Sequence, residues 1–405
     1  MNIIRKNKKS LAIVLIILIS SACSHQPRQK TVVTVKPAFS NIADFKEVNY
    51  SDFEFSDAQR KAFVETILPK LNGGTLTKNE IDLEYLYTKI KSQEDLPYIN
   101  QSKFNANLIN GFNNQMSTVS SDELKWIFIK YLPYQASDKF HYILFRLDGA
   151  EGIQYMSLKI RKVGDSFKIA DLHNYNTNFL FSYTIGRFMA LSYKASKLSQ
   201  FDPQSKVFEV FSNFSRALAV NDYEEMEKWF NLLPETYKYE PVIQNRRLVT
   251  AQISGQENYH LVLEDVYKRF KNNDQFNYYL IDYYIYKEDF HGAIALFKEQ
   301  SALFDGDNEI DVFIASLYFL GKDYQAALNE VKSIVIKSPD EERAYWLALS
   351  CLANLDRHHE MLVVLDILKH TFQYNINSEF FDEEVYYISF KNSKAYTIWQ
   401  SKNEV

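Results

Sequence analysis

Three residues in the middle of the chain, His141, Asp171 and His173, are of the types that acid–base chemistry uses. Each lies in a stretch of alternating apolar residues. A curled sheet could therefore turn them into one interior, which gives an alternative reading of this region as a small-ligand-binding or enzymatic domain. Against it, polar residues at alternating strand positions commonly face solvent. His358-His359-Glu360 is the densest histidine cluster among the eight His. Adjacent residues on a helix point in different directions, so a metal there would need ligands from elsewhere. Glu224-Glu225 and Asp340-Glu341-Glu342 open apolar helical runs, where carboxylates meet the positive end of the helix dipole without any catalytic role. The chain contains no phosphate loop, dinucleotide glycine pattern, Gly-x-Ser-x-Gly elbow or His-Glu-x-x-His helix. The expectation is a protein that is not an enzyme and uses no cofactor or metal.

The two cysteines divide by context. Cys351 sits in an apolar helical stretch and reads as buried filler. Cys23 ends a three-part segment: basic residues 1–10, the apolar run LAIVLIILI at 11–19, and small Ser20-Ser21-Ala22. That layout is an export signal, and nine apolar residues fall well short of the roughly 20 that span a bilayer. Ile19-Ser20-Ser21-Ala22-Cys23 resembles the lipobox of bacterial lipoproteins, although Ser20 stands where the family usually has Leu. The resemblance implies removal of residues 1–22 and lipid attachment to Cys23. With Ser24 rather than Asp next, it further implies sorting to the outer membrane, with the chain facing the periplasm. Residues 23–44, with two prolines and no helical period, read as a flexible tether.

Composition narrows the rest. At 405 residues the chain can hold two or three cores. Its 28 Tyr and 30 Phe need large apolar surfaces, while 11 Gly and 9 Pro leave few tight turns, which favours helices on short connections. Residues 201–405 carry 20 Lys/Arg against 33 Asp/Glu, a net charge of −13. Nucleic acid is excluded as a partner on that balance.

Residues 45–200 read as a small α+β domain. Helical spacing appears in Ala62-Phe63-Ile67-Leu68 and Leu124-Ile127-Phe128-Tyr131, with Asp57 and Ser121 as expected N-caps. The period then changes to two around 141–147, 155–161 and 167–172. Turn signals at Asp148-Gly149 and Gly164-Asp165 separate these runs, so the pattern predicts a three-stranded antiparallel sheet. A helix is expected to return over 178–198. Residues 100–200 weakly resemble the nuclear-transport-factor-2-like cone, a likeness of topology without a motif.

Residues 201–405 repeat themselves. Corners are expected at Asn221-Asp222-Tyr223, Asn258-Tyr259, Glu288-Asp289-Phe290, Lys322-Asp323-Tyr324 and Arg357-His358, their rings spaced 36, 31, 34 and 34 residues apart. Three residues past each ring stand Met226, Val262, Ala293, Ala327 and Met361, predicted to face the partner helix of the hairpin. Residues 205–372 resemble tetratricopeptide repeats in this period and in the small residues Ala293 and Ala327. Ile281 and Leu349 occupy positions that are usually small in that family. The fold expected is mostly α, an α-α superhelical solenoid preceded by the α+β domain. The resemblance implies a concave partner-binding face lined by Tyr278, Asp282, Tyr286, Val312, Ser316, Phe319, Trp346, Ser350 and Asn354, with residues 379–391 as a capping helix. The functional expectation is a lipid-anchored envelope scaffold or adaptor that binds a protein or peptide in this groove.

Overall fold

The computed structural model describes residues 55–92, 96, 101–117, 125–135, 140–149, 152–202, 204–301, 304, 307–382 and 384–403. The chain is mostly helical, with one antiparallel sheet in its middle and many helices after it. Helices α1 (Asp57–Asn72), α2 (Leu83–Lys91) and α3 (Gln101–Ser117) come first. They are followed by strands β1 (Lys125–Gln135), β2 (Phe140–Gly149), β3 (Gly152–Val163), β4 (Ser166–Asn174) and the short β5 (Phe179–Leu180), and then by α4 (Phe181–Phe201). Ser56, rather than Asp57, caps α1. Its hydroxyl accepts from the Gln59 amide while the Gln59 side chain returns to the Ser56 amide, which satisfies two donors at the helix start. Ser121 lies outside the described residues.

The sheet has five strands where alternation predicted three, in the order β1-β2-β3-β4-β5. The largest departure is β1, which the spacing Ile127-Phe128-Tyr131 had suggested as helix. A bulge explains it: Phe128 pairs with Phe145 but Lys130 pairs with Leu144, leaving Ile129 as an extra residue. Trp126, Phe128 and Tyr131 therefore reach the same core at intervals of two and three, and the break in strand phase imitates a helical repeat. One face of the sheet, through Ile143, Phe145, Leu147, Met156, Leu158 and Ile160, packs on Val64 and Ile67 of α1, Leu86 of α2 and Phe112 of α3.

Five helix hairpins follow. They are α5 (Val207–Ala219) with α6 (Tyr223–Leu232); after the one-turn α7 (Glu235–Lys238), α8 (Pro241–Ser254) with α9 (Gln256–Phe270); α10 (Asn277–Tyr286) with α11 (Phe290–Ser301); α12 (Asn308–Leu320) with α13 (Tyr324–Lys337); and α14 (Glu342–Asn354) with α15 (His358–His370). Four of their corners are built alike. Asn221, Glu288, Lys322 and Asp356 adopt left-handed backbone with φ between 53° and 63°. The next amide then donates five residues back, from Asp222 to Ala217, Asp289 to Tyr284, Asp323 to Tyr318 and Arg357 to Leu352. This arrangement satisfies the last carbonyls of the first helix and turns the chain at once. The fifth corner lies at Gly255 (φ 128°), not at Asn258-Tyr259, because α9 begins about one turn earlier than its ring position suggests. The corner residues 221, 255, 288, 322 and 356 thus recur every 33 or 34 residues, more evenly than the rings do. Met226, Val262, Ala293, Ala327 and Met361 are all 0% exposed at the helix–helix seams.

Each helix packs on its chain neighbours and the adjoining hairpin. The sheet and the helices also share a core, in which Leu144 and Tyr155 from the sheet's second face meet Ile281, Phe304, Ile310 and Ile314. The last segment is three short turns, Ser378–Asp382, Val385–Tyr387 and α16 (Ile388–Lys391), rather than the single capping helix expected over 379–391, and α17 (Lys394–Asn403) follows.

Candidate functional site

The residues expected to bind a partner lie on the first helix of the last three hairpins, and the structure treats the three helices differently. On α10, Tyr278, Asp282 and Tyr286 fall one turn apart along one stripe. Tyr278 is half-buried with its ring against Phe297. Asp282, also half-buried, accepts a 2.6 Å hydrogen bond from the Tyr259 hydroxyl, and burial pushes its carboxyl up to about 6 despite that bond. Tyr286 is exposed, stacked 3.9 Å from His260 and approached by the Lys287 ammonium.

On α12, Val312 and Ser316 are buried, and the Ser316 hydroxyl is spent on the Val312 carbonyl. Neither offers surface to a partner. Phe319, half-buried, packs on Tyr324 and Tyr386. On α14 the stripe is covered by the chain itself. Trp346 meets Tyr374 and Phe380, Ser350 lies within reach of the Tyr386 and Tyr387 hydroxyls at 3.4 and 3.5 Å, and Asn354 donates to the Ser350 carbonyl. Tyr374, Phe380, Tyr386 and Tyr387 therefore cover the α14 part of the expected stripe, and its exposed surface concentrates on α10.

The region before α10 carries residues that sequence reasoning passed over. In the pair Arg246-Arg247 of α8, Arg247 is buried, bound through two nitrogens to Glu227 and through a third to Asp265, with Phe230 beneath its guanidinium at 4.0 Å. Arg246 points elsewhere, remains exposed and has no carboxylate partner among the described residues. Asn245 accepts from the Tyr279 hydroxyl at 2.8 Å. The Thr250 hydroxyl, one turn beyond Arg246, is buried with no hydrogen-bond partner. Two adjacent arginines in an acidic helical region were the one available signal.

His141, Asp171 and His173 do not converge. His141 is buried on the face of the sheet that meets α1–α3, against the Phe55 ring. Asp171 is buried in β4 against the first turn of α4: it accepts from the Ser182 amide at 3.1 Å, the Ser182 hydroxyl and the Leu172 amide, and burial raises its pKa. His173 pairs across from Ser157, packs on Tyr175 and bonds Asn178, with burial lowering its pKa. His141 thus serves one core, while the other two belong to the opposite side. Among the described residues no three His, Cys, Asp or Glu side chains gather as a metal site would require. Cys351 is buried, and Cys23 lies outside the described residues.

A second cluster joins sheet to helices. Tyr155 donates to Asp307 at 2.7 Å, Arg146 bonds both Asp148 and Asp307, and the Tyr155 ring lies 4.1 Å from Phe304. Asp307 also caps α12 by accepting from the Glu309 amide. Glu309 in turn holds Arg343, which reaches Glu341 at the start of α14. Its geometry is that of a structural clamp, since every member is spent on another.

No known protein family and no curated protein matches this chain. No helix among the described residues is long and apolar enough to cross a membrane.

Proposed function

We propose that the chain is a non-enzymatic scaffold or adaptor of a bacterial cell envelope, anchored in the outer membrane by lipid on Cys23 and docking a partner protein or peptide on its helical repeats. The observation that carries the docking reading is the regular succession of corners every 33 or 34 residues, with packing confined mainly to neighbouring hairpins. Units that bury their faces only against neighbours stack in one dimension, and such a tetratricopeptide-like solenoid presents a long concave flank to an extended partner. Within that flank the open portion is the α8–α10 stretch, around Arg246, Asp282 and Tyr286. A lipid tether would hold the array at high local concentration near other envelope components, so modest intrinsic affinity would suffice.

Two measurements test this reading. Metabolic labelling with a radioactive fatty acid is expected to mark the wild type and not Cys23→Ala; equal labelling of both would remove the anchor. Affinity capture from gently solubilised envelopes is expected to return a stoichiometric partner whose yield falls with Tyr286→Ala. Capture of nothing across several mild detergents would defeat the docking assignment.

A further inference from the structure

The end of α4 and the first turn of α5 leave three large apolar side chains in water close together. Phe201 is 86% exposed, Leu198 42% and Phe208 41%. On α4, Lys194, Lys197, Leu198 and Phe201 follow at three- and four-residue steps and share one stripe, while Leu191 and Ala195 turn into the core. The connection to α5 is pinned. Ser199 donates its hydroxyl to the Ser205 carbonyl at 3.0 Å and accepts the Phe208 amide at 3.3 Å, and the Asp202 carbonyl takes the Ser205 amide at 2.8 Å. This turn brings the start of α5 against the last turn of α4, so side chains that singly would need no explanation form a patch.

Charge indicates what the patch meets. Helix α4 contains Arg187, Lys194 and Lys197 and no carboxylate, whereas residues 201–405 carry a net −13. Arg187 is bound to Glu240. Lys194 and Lys206 are exposed, Lys197 lies 5.3 Å over the Tyr193 ring, and none of the three pairs with a carboxylate among the described residues. Against them stand Asp202, one oxygen of which accepts the Gln204 amide, and Glu209, so residues 194–209 keep a net +1. Lysine stems lie along apolar surface while their ammonium groups reach outward, and apolar rings bordered by lysines match a bilayer, whose acyl boundary takes the rings and whose phosphates take the charges. We propose that this end of α4 is a peripheral contact for an anionic phospholipid bilayer: Leu198, Phe201 and Phe208 enter the boundary beneath the headgroups, and Lys194, Lys197 and Lys206 meet lipid phosphates. The proposal rests on the envelope reading only for bringing a bilayer within reach. Residues 23–54 extend at most about 110 Å, so a chain held at Cys23 can lay this face on its own membrane.

Vesicle co-sedimentation tests it on the full mature chain carrying Cys23→Ala, so that no attached lipid contributes. The probes are vesicles of phosphatidylcholine alone and of phosphatidylcholine mixed with phosphatidylglycerol, at low salt. Binding to the mixed vesicles is expected, and Phe201→Ser should cut partitioning about tenfold, as withdrawing one aromatic side chain from lipid implies. Replacing Lys194 and Lys197 together by Gln should also cost about tenfold on mixed vesicles. Ile336→Ser, at an 80% exposed apolar position on α13, should change nothing. All three positions lie at the surface, so circular dichroism should match the parent, and the emission of Phe201→Trp should shift to the blue as mixed vesicles are added. No sedimentation with mixed vesicles, a Phe201→Ser chain that binds like its parent, indifference to the lysine pair, or an equal loss with Ile336→Ser overturns the proposal. A dimer of the parent chain that Phe201→Ser dissociates, without vesicle binding, would assign the patch to a second copy and also overturn it. Vesicle binding by a chain whose wild type takes no fatty acid would leave this contact standing and remove the Cys23 anchor. Fatty-acid labelling without any vesicle binding by the Cys23→Ala chain would do the reverse.

Discussion

Replacing Asp307 by alanine tests whether the sheet and the helical repeats stand or fall together. Its carboxylate is buried and does three jobs: it accepts the Tyr155 hydroxyl at 2.7 Å, pairs with Arg146 and caps α12 through the Glu309 amide. Losing the cap costs about 1 kcal/mol. Stranding the buried Tyr155 hydroxyl costs about 1–3 kcal/mol more. Breaking a buried ion pair outright costs roughly 3–5 kcal/mol, but Arg146 keeps Asp148 at 2.6 and 2.9 Å and has Glu309 at 3.7 Å, so only a fraction applies. Burial already raises the Asp307 pKa, and removing that strained charge returns some stability. The net expectation is a loss of about 3–4 kcal/mol, whereas Asp148→Ala, at the solvent edge of the same network, should lose about 1 kcal/mol or less. Urea unfolding followed by circular dichroism gives the totals. Hydrogen exchange locates them: protection should fall together in β2–β3 and in α10–α12. A loss under about 1 kcal/mol, or weakened protection confined to α12, would refute the shared-core argument.

The Asp282 carboxyl, lifted to about 6 by burial, binds its proton more tightly folded than unfolded. Its contribution therefore favours the fold below the unfolded pKa of about 4 and is lost as pH rises through about 6, a change of at most about 3 kcal/mol. Asp282→Asn should flatten the stability profile between those limits, and an unchanged slope in urea titrations at pH 4 to 7 would contradict this. Glu288 and Lys322 hold left-handed backbone that a side chain disfavours. Glycine at either corner is expected to raise stability by about 0.5–1 kcal/mol, read as a higher urea midpoint; a lower one would show that the side chain does more than endure strain. The Cys351 thiol is 0% exposed, and burial alone pushes it up to about 12. It should react with a thiol reagent only as fast as the fold opens, so prompt labelling of native protein would place it wrongly.

Read alone, the sequence determined what depends on residues close together along the chain. A ring after an acidic or polar corner and an apolar residue three positions later sufficed to name Met226, Val262, Ala293, Ala327 and Met361, and all five are fully buried, because hairpin packing repeats a local pattern. Asp148-Gly149 and Gly164-Asp165 marked two turns of the sheet for the same reason. The tertiary structure decided what depends on distant faces meeting. Only pairing with β2 shows that β1 is a bulged strand. Only docking of the sheet onto α10–α12 brings Arg146 to Asp307 and covers part of its second face. The expected partner-binding stripe changed most: Tyr374, Phe380 and Tyr386 fold back over Trp346 and Ser350, a cover that no local pattern announces. Periodicity reports that a face is apolar or polar, but which of several complementary faces covers it is settled by chain geometry over many tens of residues.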